Sequence, residues 1–138
     1  MIAYVDASVA LRVLLAQGGR LRAWGTWQRG YASEILGLEV RRTIDRLRVQ
    51  GALDAEQVAQ LLRLTTTLEQ GLAIVSLTRT VLHRAALPMA TPVRTLEALH
   101  LTTALIVRER SSAPLVFLTH DAQQAAAARA LGFEVDGV

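Results

Sequence analysis

Two stretches of this chain repeat one pattern, and that pattern limits the folds open to it. Ile2-Ala3-Tyr4-Val5 and Leu115-Val116-Phe117-Leu118 are short apolar runs; an aspartate follows each, and helical periodicity follows the aspartate. Runs this short and this apolar suit strands buried on both faces, as in a parallel sheet covered by helices. An acid placed where such a strand turns into a helix sits where open α/β sheets put their ligands. Asp6 and Asp121 are therefore candidate site residues. Either would also serve as an ordinary N-cap, and so would Ser8 beside Asp6.

The rest of the chain fills in the same alternation. Further strands are expected at 30–32, 72–77 and, as an edge, 133–135. Leu11, Leu14 and Leu15 mark the helix after Asp6, and 21–27 reads as a short helical segment with Trp24 and Trp27 on one face. Helices are predicted over 33–50, 55–69, 78–87, 95–107 and 122–131, with a loop around Pro88 and Pro92. In the 55–69 helix, Val58, Leu61, Leu62 and Leu64 are expected to face inward. The outcome is one α/β domain over 1–138, a mostly parallel central sheet with right-handed crossovers.

Composition narrows what such a sheet could do. There is no cysteine, which removes disulfides and thiolate metal sites and suits a reducing, cytoplasmic interior. Charges interrupt every apolar run before it could span a bilayer, and Asp6 falls inside the first one, so neither a membrane span nor an export signal is expected. The formal charge is +3, and all 15 basic residues are arginine. Arginine richness is compatible with phosphate recognition on a nucleic acid and equally with the coding bias of a GC-rich genome. The absence of lysine is more decisive: Walker-type phosphate loops, Schiff-base chemistry and phosphoacceptor receiver domains all need one.

Two helices carry further acids. In 33–50, Leu36, Val40, Ile44 and Leu47 form the core stripe; Glu39 lies beside it, with Arg41, Arg42 and Arg46 following. These are either helical ion pairs on a solvated face or a site acid with a phosphate track. The 95–107 helix is apolar almost all round, and Glu97 is its only formal charge between Arg94 and Arg108. A buried lone carboxylate is costly without compensation, although an acid in a first turn also complements the helix dipole, with Thr95 able to cap. His100 reads as a hydrogen-bonded core histidine; the single Glu-x-x-His pair falls short of a di-iron motif, which needs two. In a parallel sheet the strand-to-helix turns share one edge, so Asp6, Asp121 and Glu97 converge there. Glu39 sits a turn and a half inside its helix. Converging carboxylates raise one another's pKa unless a cation joins them, and all-oxygen ligation suits Mg²⁺ or Mn²⁺ rather than zinc.

YVDASVAL, SEILGLEVRR, TLEALHLTTAL and FLTHD together resemble, in order and spacing, the four signature blocks of PIN-domain ribonucleases, in particular VapC-type toxins of bacterial toxin–antitoxin systems. The resemblance covers nearly the whole chain. It implies a three-layer α/β/α nuclease in which Asp6, Glu39, Glu97 and Asp121 surround Mg²⁺ or Mn²⁺. Asp6, Glu97 and Asp121 would ligate the ion, Glu39 would ligate it or position the attacking water, and Ser8 and Thr119 match supporting hydroxyl positions. Arg41, Arg42 and Arg46 would grip flanking RNA phosphates. A homodimer and a small antitoxin that occupies the cleft are implied as well. The third block carries Glu97 where the family usually has aspartate; one methylene longer, it would ligate directly, through water, or with altered metal preference. That departure motivates the alternative of a PIN-like module that binds RNA or a protein without cutting.

Overall fold

The computed structural model describes residues 1–19 and 21–138. In chain order the elements are β1 (Ile2–Val5), α1 (Ala7–Leu14), β2 (Arg29–Ser33), α2 (Ile35–Val49), α3 (Ala55–Gln70), β3 (Ala73–Val75), α4 (Arg79–Ala85), α5 (Thr95–Arg110), β4 (Leu115–Leu118), α6 (Ala122–Ala130) and β5 (Glu134–Asp136). The strands form a single sheet in the order β3-β2-β1-β4-β5, every neighbouring pair parallel. The two apolar runs are its middle: Ile2, Ala3, Tyr4 and Val5 pair with Leu115, Val116, Phe117 and Leu118, and all eight are buried.

Period-two alternation divides these strands between two cores. Ala3, Val5, Val116 and Leu118 pack with Val9 and Ala10 of α1, Leu36, Val40 and Ile44 of α2, and Leu61 of α3. Ile2, Tyr4, Leu115 and Phe117 point the other way, onto Leu101, Ala104 and Val107 of α5 and Ala127 and Ala128 of α6. Helices on both faces of one sheet make a three-layer α/β/α fold. Asp6, Asp54, Thr78 and Asp121 all cap the helices that follow them, each accepting a hydrogen bond from a first-turn backbone amide.

Four expectations change. The 21–27 segment is a set of turns rather than a helix: Gly25 takes φ +77°, which breaks helical continuity, and Trp24 and Trp27 meet edge to face with centroids 5.2 Å apart. The strand expected at 72–77 is only Ala73–Val75 and is half-buried, because it lies at the sheet's edge. On α3, Leu61 and Thr65 are buried and Val58 and Leu68 pack partly buried against the core, whereas Leu62 and Leu64 are exposed; the inward stripe steps by three and four along this helix. Arg94, not Thr95, is the N-cap of α5. Among the described residues, no helix is long and apolar enough to cross a membrane.

Candidate active site

From β1 the chain steps outward through β2 to β3, then returns past β1 to β4 and continues to β5 on the other side. The β1–β4 pair is thus the switch point of the sheet, and the crevice beyond its carboxyl ends is where this architecture offers a ligand site. A cavity of about 510 Å³ opens there, and Asp6, Glu39, Glu97 and Asp121 all line it, with Ser8, Thr43, Arg94, His100 and Gln124.

Asp6 ends β1 and its backbone amide still donates to Leu118 O at 3.0 Å, continuing the ladder. Its side chain is fixed through Oδ2, and the residue is only 4 % exposed. The Ser8 hydroxyl donates to that oxygen at 2.5 Å and the Thr119 hydroxyl at 2.9 Å. Each hydroxyl in turn accepts a backbone amide from the β4–α6 turn: His120 N–H to Ser8 Oγ at 2.9 Å, Asp121 N–H to Thr119 Oγ1 at 3.0 Å. Ser8 and Thr119 therefore tie the two strand ends together and orient Asp6. Asp121 accepts from the Gln124 amide through Oδ1 at 2.9 Å, as an N-cap does.

The opposite wall comes from α2 and α5. His100 is buried and bonded at both ring nitrogens, Nδ1 to the Tyr4 hydroxyl at 2.9 Å and Nε2 to Glu39 Oε1 at 2.5 Å; Asp6 Oδ1 lies 3.6 Å from Nε2. Against a carboxylate, Nε2 carries the proton, and in the neutral ring Nδ1 then accepts from Tyr4. Burial pushes the His100 pKa down, but the Glu39 hydrogen bond and the charges of Asp6 and Glu39 outweigh it, so the imidazole is held above its ordinary value. The Tyr4 phenol goes up as well, chiefly through burial and then through the charge of Asp6, and stays a donor. His100 is the hydrogen-bonded core histidine expected, and it also forms part of the cavity wall.

Glu97 closes on its own helix start. Its Oε2 accepts the Arg94 backbone amide at 2.7 Å, and its Oε1 accepts Arg94 Nη2 at 2.9 Å and Nε at 3.2 Å. The three candidate arginines separate. Arg41 turns to Glu69 on α3 at 2.5 Å, and Arg42 pairs with Asp45 at 3.2 Å. Of the three, Arg46 borders the site, in an adjoining groove it lines with Arg12, His120, Ser8 and Asp121. Arg12, Arg94 and Gln124 were not singled out by sequence. Each lies three or four positions from a candidate residue on the same helix or its cap (Ser8, Glu97, Asp121), and that spacing was the available signal.

The donor set suits a hard cation. Among the described residues, four carboxylates face one guanidinium and one imidazole that is already committed at both nitrogens, and the chain has no cysteine. Among the described residues, no three Asp, Glu, His or Cys side chains stand ready-made around one ion position. Glu97 is engaged by Arg94, Glu39 by His100, and Asp121 by its helix N-terminus.

Fold and site define a doubly wound α/β/α domain with an acid-lined crevice at the switch point of its sheet. No protein-family model matches the chain, and no curated protein matches it significantly.

Proposed function

We propose that this protein is a metal-dependent endoribonuclease of the PIN-domain, VapC type, the toxin of a toxin–antitoxin pair. The observation that carries the reading is the meeting of Asp6, Glu39, Glu97 and Asp121, drawn from four separate places in the chain, in one crevice. A bound Mg²⁺ or Mn²⁺ would acidify a coordinated water and neutralise charge on the phosphate oxygens. Asp6, Asp121 and Glu97 are the residues to hold it. Asp6 is pre-set for this by Ser8 and Thr119, which occupy Oδ2 and leave Oδ1 toward the crevice wall of His100 and Glu39. Glu39, oriented by His100, positions the attacking water and accepts its proton. Arg46 and Arg12, in the adjoining groove, are the residues to hold flanking RNA phosphates.

An antitoxin and a homodimer belong to the same proposal. What supports a protein partner is an apolar groove lined by Leu82, Leu87, Met89, Val93 and Leu99, which borders the crevice at Arg94 and Thr95. A second reading, RNA or protein binding without cleavage, is favoured by the engagement of Glu97 with Arg94. The deciding experiment is cleavage of RNA by the purified protein in Mg²⁺ or Mn²⁺, with chelator, and with Asp6→Asn. Metal-dependent cleavage lost on substitution supports the nuclease. Cleavage indifferent to both treatments refutes the metal site, and intact RNA with retained binding supports the second reading.

A further inference from the structure

Of the four acids in the crevice, Glu97 is the one closed off by a guanidinium among the described residues. The pair is lopsided: the Glu97 side chain is 10 % exposed and the Arg94 side chain 79 %. The anion is built into the wall, while the guanidinium lies over it from solvent. Among the described residues, Arg94 is also the only arginine that lines the cavity with the four acids. The length of glutamate matters. Its two oxygens reach back across the first turn of α5, one to the Arg94 backbone amide and one to the Arg94 side chain. An aspartate would be one methylene short of that span.

We infer that Arg94 is a positioning residue that acts through Glu97 as an exchangeable counter-ion: it holds Glu97 Oε1 in the metal-free protein and releases it when a divalent cation enters the crevice. The inference rests on the metal reading above. Only one of the two oxygens changes partner. Oε2 stays on the Arg94 amide, so α5 keeps its cap while Oε1 becomes available. Swinging an exposed guanidinium into water opens no hole in the core, whereas Glu97 left alone among three other carboxylates would be poorly compensated; the exchange is therefore tied to the arrival of another cation.

Isothermal titration of Mn²⁺ into the intact wild-type chain, Arg94→Ala, Glu97→Gln and the double variant tests this. The expected result is Mn²⁺ binding about twofold to fivefold tighter in Arg94→Ala, because a competitor has gone. Glu97→Gln keeps an oxygen for the helix cap but loses the charge that pairs with arginine, so in that background the gain should vanish. Wild-type binding with no gain in Arg94→Ala overturns the exchange. So does a gain that persists unchanged when Arg94→Ala is combined with Glu97→Gln, which would reflect only a lowered positive field. No Mn²⁺ binding by any of the four proteins overturns the metal reading itself. A second readout is the Arg94 Nε–H resonance of the wild-type protein during Mg²⁺ titration. Its hydrogen-bonded signature should be lost on saturation, and an unmoved resonance with Mg²⁺ bound overturns the proposal.

Discussion

Replacing Thr119 by valine isolates the hydrogen bonding that ties the two central strand ends together. The side chain is fully buried, and valine, close to it in shape, opens no sizeable cavity; what is removed is one hydroxyl bonded to the Asp6 carboxylate, the Asp121 amide and, at 3.3 Å, the Ser8 hydroxyl. Its bond to the Asp6 carboxylate is charge-assisted, worth about 1.5–3 kcal/mol, and the Asp121 amide loses its acceptor, worth about 1 kcal/mol more after partial rehydration. The expected cost is roughly 2.5–4 kcal/mol. For a chain of 138 residues, the entropy of unfolding near Tm converts this to a fall of about 9–14 °C. Differential scanning calorimetry on wild type, Thr119→Val and Thr119→Ser measures it. Serine retains the hydroxyl and should recover most of the loss. A Thr119→Val protein within about 0.5 kcal/mol of wild type, or a Thr119→Ser protein as unstable as valine, refutes the claim that this hydroxyl holds Asp6 in place.

Asp6→Asn should lower metal-dependent RNA cleavage by at least about a hundredfold while leaving the far-ultraviolet circular dichroism unchanged; a rate near wild type argues against a role for Asp6. Leu36→Ala, at a fully buried position between α2 and the sheet, should cost about 2–5 kcal/mol by urea unfolding without changing the folded topology. Arg46→Ala and Arg12→Ala should each weaken RNA binding across sequences and reduce the slope of log K against log salt by about one, as read by fluorescence anisotropy; an unaltered slope removes that groove from the RNA path. The Glu109 carboxyl is held below its usual range, first by its hydrogen bond from Arg84 at 2.7 Å and then by the arginine charges. A lowered carboxylate pKa adds stability above the unfolded value of about 4.3 and loses it as pH falls through the folded value. The pair is partly exposed and screened by solvent, so Arg84→Gln should erase less than about 1 kcal/mol of acid-side pH dependence, and a larger or opposite effect contradicts the pairing.

The middle of the fold was legible because β1 and β4 are apolar on both faces, a pattern that buried parallel strands share with little else of that length. Asp6 and Asp121 were legible for the same reason: the end of a buried strand is a fixed place in the architecture. Their double role was legible too, since both cap a helix and line the crevice. What sequence did not carry is partner choice. The positions of Arg41 and Arg46 on α2 differ by five residues, which turns one toward Glu69 on α3 and the other toward the groove beside Asp121. Arg94 read as part of a loop: its three-residue spacing from Glu97 was the only signal, and spacing alone does not say that the acid folds back onto both the Arg94 amide and its side chain. At 21–27 the tryptophan spacing suggested a helical face, but Gly25 between them takes a left-handed turn and the rings meet from separate turns instead.

The most direct test of the account is an anomalous-difference map from crystals grown in saturating Mn²⁺. A single strong peak within the crevice, in contact with carboxylate oxygens of Asp6 and Asp121, is the predicted result. A crevice without manganese, in crystals where Asp6 and Asp121 are well ordered, would contradict the claim that these acids share a divalent ion.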